Sequence, residues 1–203
     1  MEVYVDGEIL TPQPATDSVI RDVTDQLREQ LNEKHRLVVR IGCDGEDVAE
    51  SDLERTLDAA LSDYGRVDLH TALVSDLAAD LLSQTTEMLE KAREVQSEVV
   101  DLLSQGNNGR AMELLSDCFT VWKNAQEGLQ RAAEAMELEL DDIRFEEETV
   151  TAFMGEVAAA LRTIREALEL RDYVMLSDVL AYEFDPLTER WQHLNEAVRE
   201  QIR

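Results

Sequence analysis

Carboxylates are abundant along four long amphipathic segments in the second half of the chain, which is the setting of di-iron helical bundles. Such a centre needs Glu-x-x-His on two helices and two further inward-facing glutamates. The histidine of this region, His193, has Glu189 four residues before it and Glu196 three residues after it. Because this order differs from the motif, we expect no metal centre and no cofactor.

Other ion-binding and nucleophilic patterns are also incomplete. The stretch after Asp44 departs from a calcium-binding EF-hand loop, since Ala49 stands where the loop needs glycine. Cys43 and Cys118 lie 75 positions apart and form no Cys-x-x-Cys pair, which excludes the usual zinc and redox motifs. The acidic neighbours of Cys43 should raise the pKa of its thiol. The chain has no Gly-x-Ser-x-Gly and no glycine-rich phosphate loop, and we expect no catalytic residue.

The densest acidic cluster comprises Asp141, Asp142 and residues 146–148. It could hold a divalent cation or a basic partner. The alternative is a solvated charge run at a helix N-terminus, where the helix dipole stabilises carboxylates. We favour the second interpretation.

Aromatic residues concentrate around Pro186, where Tyr182, Phe184 and Trp191 lie within ten positions. Proline removes a backbone donor, so the last helix either kinks at this point or stops and restarts with Asp185 as its cap. Broken helices with aromatic anchors can form grooves for a partner. These four residues are therefore the predicted partner-binding site; the alternative is that the rings fill the end of a bundle.

Composition limits the classes of partner. The chain has 203 residues, of which 45 are acidic and 19 are Lys or Arg, giving a net charge of -26. A body of this charge is repelled by nucleic acid and by anionic membrane surfaces, so we expect neither as a partner. The 19 Lys and Arg residues are scattered and form no basic patch; the nearest approach to a cluster is residues 34–36 with Arg40, flanked by Glu33 and Asp44. The first ten residues lack the apolar run of a signal peptide, and no segment is long and apolar enough to span a membrane, which predicts a cytoplasmic protein.

Residues 1–72 predict a small α/β module in the order strand, strand, helix, strand, optional strand, helix, strand, the fifth element being either a strand or irregular. Asp6-Gly7 and Asp44-Gly45 each follow a β-rich run, and Asp-Gly indicates a hairpin turn because both residues tolerate positive φ. A helix is predicted over 17–34, capped by Thr16 or Asp17. A second helix is predicted from a capping box at 51–54 to Gly65. This layout resembles the β-grasp arrangement of ubiquitin-like domains in topology.

Residues 73–203 predict four helices packed as an up-down-up-down antiparallel bundle, because apolar residues recur at three- and four-residue spacing with short turns between the segments. The third helix is predicted from about residue 147. The first helix has a second apolar stripe of Leu82, Leu89 and Leu103, which predicts burial against another copy and hence a homodimer. The fold class is therefore α+β, with a mixed sheet module followed by a bundle.

The joints of this bundle resemble those of the flagellin export chaperone family. The resemblance lies in residues 103–115 and 167–176, where an apolar end, a Gly or Asp turn and an Ala/Leu-rich helix follow one another. It implies a cytosolic bundle whose seams hold a helix of a partner protein.

Two functional hypotheses follow. The first is a non-catalytic protein-interaction module, adaptor-like or chaperone-like, which acts through its helical bundle on a protein partner or on itself. The alternative is a small-molecule or metal-binding enzyme with its site between the sheet module and the bundle, because domain junctions commonly form pockets.

Excess negative charge gives the first testable prediction. Self-repulsion destabilises the compact state and is screened by salt, so the melting temperature should rise between ~20 mM and ~150 mM NaCl. Circular dichroism at a series of salt concentrations measures this directly. A melting temperature that stays constant over the series would contradict it.

Overall fold

The structure is a computed structural model that describes residues 1–202. It divides into two compact units, Met1–Leu77 and Ala78–Arg203. The α+β class is confirmed, with a mixed sheet in the first unit and long helices in the second. Within residues 1–202, no helix has both the length and the apolar character needed to cross a membrane.

The first unit is built on a five-stranded sheet in the order β2-β1-β5-β3-β4. β1 and β5 are parallel, whereas the other neighbours are antiparallel. The strands are β1 (Glu2–Val5), β2 (Glu8–Ile9), β3 (Arg36–Cys43), β4 (Glu46–Asp47) and β5 (Arg66–Leu73).

Both Asp-Gly turns are confirmed as hairpin turns. Asp6, Gly7, Asp44 and Gly45 all have positive φ, between 50° and 90°, as the tight turns of two-residue hairpins require. Each aspartate also binds β5. Asp6 accepts hydrogen bonds from the backbone N–H and the hydroxyl of Thr71, and Asp44 accepts from the N–H groups of Gly65 and Arg66 at 2.8 Å each.

One face of the sheet is covered by α1 (Ile20–Asn32), which buries Ile20, Val23, Leu27 and Leu31. These side chains pack against the apolar face of the sheet in a single core. The predicted start of this helix is wrong: neither Thr16 nor Asp17 caps it, and it begins after Val19. The reason is that Val19 is extended and pairs with Ala60 in an isolated β-bridge.

The second predicted helix is also wrong in its bounds. A 3₁₀ turn at Glu50–Asp52 leads into α2 (Leu53–Leu57), without a side-chain cap, and a further 3₁₀ turn follows at Leu61–Asp63. The chain cannot remain helical to Gly65, because Leu61 donates to the carbonyl of Ser18 and buries its side chain completely.

The second unit consists of long helices around one core. They are α3 (Val74–Ser104, whose first turn lies in the first unit), α4 (Asn108–Ala135), α5 (Val150–Leu170), α6 (Tyr173–Asp178) and α7 (Asp185–Ile202). The stripe of Leu82, Leu89 and Leu103 is buried within this core. It is therefore occupied inside one chain and offers no surface to a second copy.

Pro186 neither ends nor starts a helix. α6 continues through a π-helical turn (Val179–Phe184) into α7, and Pro186 is the second residue of α7. In this wide turn Asp185 N–H bonds the carbonyl of Leu180, five residues back. The buried Gln96 amide donates to the same carbonyl at 2.8 Å, so α3 supports the irregular turn from the side.

The sequence pattern did not predict the short hairpin of β6 (Arg144–Phe145) and β7 (Glu148–Thr149). Its turn residues Glu146 and Glu147 both have positive φ. α5 consequently starts at Val150 instead of near residue 147, with the Thr149 hydroxyl accepting from Ala152 N–H.

Low pH should weaken the hydrogen bonds that Asp6 accepts from Thr71 of β5. Desolvation raises the pKa of this carboxyl, but the hydrogen bonds from Thr71 and the charge of Arg36 outweigh it and hold the pKa below its ordinary value. A lowered folded-state pKa contributes stability above the unfolded pKa, and that contribution is lost as the pH falls through the folded value. Asp6→Asn, which keeps the turn-compatible side chain, should therefore be less stable than wild type near neutral pH, with the difference shrinking below pH ~3.5.

Urea unfolding of both proteins across this pH range provides the measurement. Asp17→Asn is the matched control, because the exposed Asp17 side chain makes no hydrogen bond within the described residues. A stability difference for Asp6→Asn that is independent of pH would contradict the assignment.

Candidate functional site

The four residues predicted to bind a partner do not share one surface. Phe184 and Trp191 are each 1% exposed and belong to the core of the second unit. Tyr182 is 77% exposed, and Pro186 is also exposed. The helix through this region therefore directs two of the side chains inward and two outward.

The inward side chains form part of an aromatic cluster. The ring of Trp122 lies 4.6 Å from that of Phe184 and 5.4 Å from that of Trp191, centroid to centroid. Phe153 contacts Trp191 at 5.7 Å with its ring tilted edge-on. Such geometries are favourable between aromatic rings and stabilise a core. Phe184 and Trp191 therefore have a structural role here.

Two carboxylates of the acidic cluster, Glu146 and Glu148, form ion pairs within the second unit. The Arg190 guanidinium binds Glu146 at 2.8 Å, Glu156 at 2.6 Å and also Glu148. His193 contacts Glu146 at 3.0 Å. The hydrogen bond from His193, followed by that from Arg190, holds the pKa of Glu146 below its ordinary value. Among residues 1–202 no group of three or more His, Cys, Asp or Glu side chains is placed to hold a metal ion. The cluster thus attaches the β6–β7 hairpin to α7.

Neither thiol is activated. Burial, followed by the charges of Asp44 and Asp68, raises the pKa of Cys43. The predicted direction is confirmed, although burial contributes more than the acidic neighbours do. Burial also raises the pKa of Cys118 to about 11. A thiol with a raised pKa is a poor nucleophile at neutral pH.

A different feature stands out in the first unit: the edge of β3 that faces away from β5. β4 pairs only with Gly42 and Cys43, and one further bond joins Val48 N–H to the carbonyl of Ile41. No strand among residues 1–202 pairs with the remainder of this edge. Most of β3 therefore has backbone groups on one side with no strand partner.

Strand alternation identifies these groups. Val74 N–H donates to the carbonyl of His35, so the backbone of His35 bonds toward β5. The next residue whose backbone N–H and C=O point toward β5 is Leu37, which lies opposite Ala72. The backbone groups of Arg36 and Val38 then point away from β5, since successive residues of an antiparallel strand face opposite sides. A bulge follows between Val38 and Arg40. At the open edge, Leu37 is 42% exposed and Val39 is 48% exposed.

Two adjoining pockets lie between this edge and the helices beside it. A pocket of about 480 Å³ is lined by α2 and the middle of β3, residues 38–41, and one of about 250 Å³ is lined by α1 and the start of β3, residues 36–38. Thr24 and Val38 line both pockets. We call the two together the β3 groove. The aliphatic residues that line it are Leu31, Leu37, Val38, Val39, Ile41, Val48, Leu53 and Leu57.

The β3 groove has a cationic rim in an otherwise strongly acidic chain. Arg28 and Arg36 line the smaller pocket, and Arg40 lines the larger one. Arg36 binds Asp6 and Thr71, and Arg40 binds Asp47 at 3.0 Å. Arg28 makes no ion pair within residues 1–202. Arg36 and Arg40 belong to the group of cations noted in the sequence, to which no role was assigned, whereas Arg28 was not singled out there.

Sequence reasoning missed the β3 groove because its parts are far apart along the chain. The only available signals were the cations at 34–40 and the β-branched run at 37–41. That β4 would be only two residues long, leaving this edge uncovered, was not evident from the pattern.

Comparison with known proteins identifies two domain families. Residues 80–194 match the family model described as Domain of unknown function (DUF8042). Residues 1–72 match the model described as TP0873 N-terminal domain. No curated protein and no solved structure matches the chain.

Truncation of the aromatic residues should separate structural from surface roles. Phe184→Ala leaves a cavity in the core and should lower the free energy of unfolding by about 3–5 kcal/mol. Tyr182→Ala removes an exposed side chain and should change it by less than ~0.5 kcal/mol. Chemical denaturation of both variants makes the comparison; similar losses for the two would show that Tyr182 is packed.

Proposed function

The chain belongs to the DUF8042 family, and we propose that it is a non-catalytic protein-interaction module whose N-terminal unit takes up an extended segment of a partner protein along β3. This proposal retains the interaction function expected from the sequence. It moves the principal binding surface from the helical bundle to the β3 groove.

The observation that supports the proposal is the uncovered edge of β3 beside two apolar pockets. An extended peptide that joins a sheet edge obtains its affinity from main-chain hydrogen bonds and its specificity from pockets for alternate side chains. The backbone groups of Arg36 and Val38 provide the first element. The two pockets provide the sites for side chains. They lie next to each other along β3, so alternate side chains of an added strand could enter them in turn.

The topology of the first unit agrees with its resemblance to β-grasp domains. β5 lies between the β1–β2 and β3–β4 hairpins, parallel to β1 and antiparallel to β3, and α1 connects the two hairpins across one face. We infer from this that the unit is a β-grasp-type module. Fold resemblance alone assigns no partner, so the proposal rests on the β3 groove.

For the helical unit we retain the proposal of an adaptor-like or chaperone-like role. Tyr182 lies in the π-helical turn and, with Pro186, is one of the two exposed residues of the site expected from the sequence. π-Helical turns are frequent at functional sites. Tyr182→Ala therefore distinguishes a bundle-directed partner from one that binds at β3.

Selection of random displayed peptides on the full chain tests the proposal and does not require the partner to be identified first. Thr24→Trp places an indole where both pockets meet. Because Thr24 lies on α1, its backbone takes no part in the hydrogen bonds of the sheet. It should abolish binding of most selected peptides. Gln26→Trp is the matched control, since Gln26 is exposed on α1 and does not line either pocket.

The expected pattern is loss of binding with Thr24→Trp and retention with both Gln26→Trp and Tyr182→Ala. Selected peptides that bind Thr24→Trp as tightly as wild type would contradict the β3 assignment. Loss confined to Tyr182→Ala would place the binding surface on the helical unit.

A further inference from the structure

We infer that the segment bound at β3 alternates aliphatic and acidic residues, with its aliphatic side chains directed into the β3 groove and its carboxylates at the arginines of the rim. This inference rests on the proposed function and specifies the chemistry of the partner. It follows from the geometry of an added strand and from the distribution of charge around the groove.

Successive side chains of a strand project to opposite faces of the sheet, and alternate ones lie about 6.6–6.8 Å apart. Those on the side of α1 would enter the two pockets. The walls of these pockets are mainly branched aliphatic side chains, including Leu31, Ile41 and Leu57. Aliphatic residues at alternate positions therefore fit the α1 side of the added strand.

The side chains between them would face the opposite side of the sheet. There Arg40 pairs in register with His70 and is more than half exposed, so its guanidinium is available to a second carboxylate beside Asp47. Arg28 lies on α1 at the other end of the groove, exposed and free of ion pairs within the described residues, so it is placed to bind a carboxylate at the end of the segment, beyond the smaller pocket. A guanidinium binds a carboxylate through charge-assisted hydrogen bonds.

The net charge of -26 does not oppose this local preference strongly. Exposed charges farther than about 8 Å are largely screened at physiological ionic strength. Arginines in contact with the segment act at hydrogen-bond distance, where screening is weak. Asp25 and Glu50 also line the pockets, and they disfavour acidic residues on the α1 side, which reinforces the alternation.

The arginines of the rim disfavour a second copy of this chain as the occupant. Two β3 edges paired antiparallel would bring Arg36 and Arg40 of one copy close to those of the other. Like charges facing each other across strands are destabilising. An acidic partner segment introduces no such contact between like charges.

Three synthetic nonapeptides test the inference: alternating Val and Glu, and the same sequence with Gln or with Lys in place of Glu. Binding to the full chain is measured by fluorescence anisotropy. We expect the Glu peptide to bind at least about tenfold tighter than the Gln peptide, as contacts with two arginines would give, and the Lys peptide to bind most weakly. Arg28→Gln combined with Arg40→Gln should remove the advantage of the Glu peptide.

Arg110→Gln combined with Arg165→Gln is the matched control, since it removes the same charge from exposed positions on α4 and α5. Amide NMR spectra of both double variants verify that the first unit remains folded. The control should bind the Glu peptide as wild type does. Equal loss in both double variants would attribute the effect to net charge and overturn the inference.

The remaining outcomes separate this inference from the proposed function. If Glu and Gln peptides bind equally, and Thr24→Trp abolishes both, the acidic preference is wrong and strand addition stands. If none of the three peptides binds and displayed peptides are indifferent to Thr24→Trp, both fail. A dimer of the free chain in sedimentation, with the β3 amides already protected from exchange, would identify a second copy as the occupant and overturn the inference.

Discussion

An edge strand whose backbone groups lack a partner is the constraint on which the proposed binding mode depends. Sheet edges offer unpaired N–H and C=O groups, and proteins protect them with charges, bulges and short strands. β3 shows a bulge at Val39, and Arg36 and Arg40 stand at either end of its uncovered part, but its partner β4 covers only two residues. On the proposed binding mode, the arginines disfavour pairing with another copy of this edge, and the uncovered part accepts an extended segment of opposite charge.

The position of β3 is set by β5, which in turn is held by the two turn aspartates. Asp6 binds Thr71 near one end of β5, and Asp44 binds Gly65 and Arg66 at the other. A one-residue slip would move every side chain to the opposite face, so these contacts help to fix the face on which Val38 lines the groove. The two Asp-Gly turns therefore reverse the chain and also help to hold β5 in its register.

Local signals predicted much of the fold. The Asp-Gly turns, the apolar face of α1 and the bundle seams all follow from short-range pattern, and the structure has them. The errors occur where distant segments compete with local preference. Pairing with Ala60 delays the start of α1, and Arg190 holds an acidic hairpin where a helix was expected. The site was harder to predict, because the aromatic residues near Pro186 divide between core and surface while the β3 groove is assembled from residues 24–57.

Amide hydrogen exchange at β3, read by NMR on the full chain with and without a selected peptide, tests strand addition most directly. We expect rapid exchange at Arg36 and Val38 in the free protein, because these amides face the uncovered edge, and marked slowing on peptide binding. Leu37, which faces β5, should be protected in both states. Slow exchange at Arg36 and Val38 in the free protein, or no slowing when the peptide is bound, would contradict strand addition at this edge.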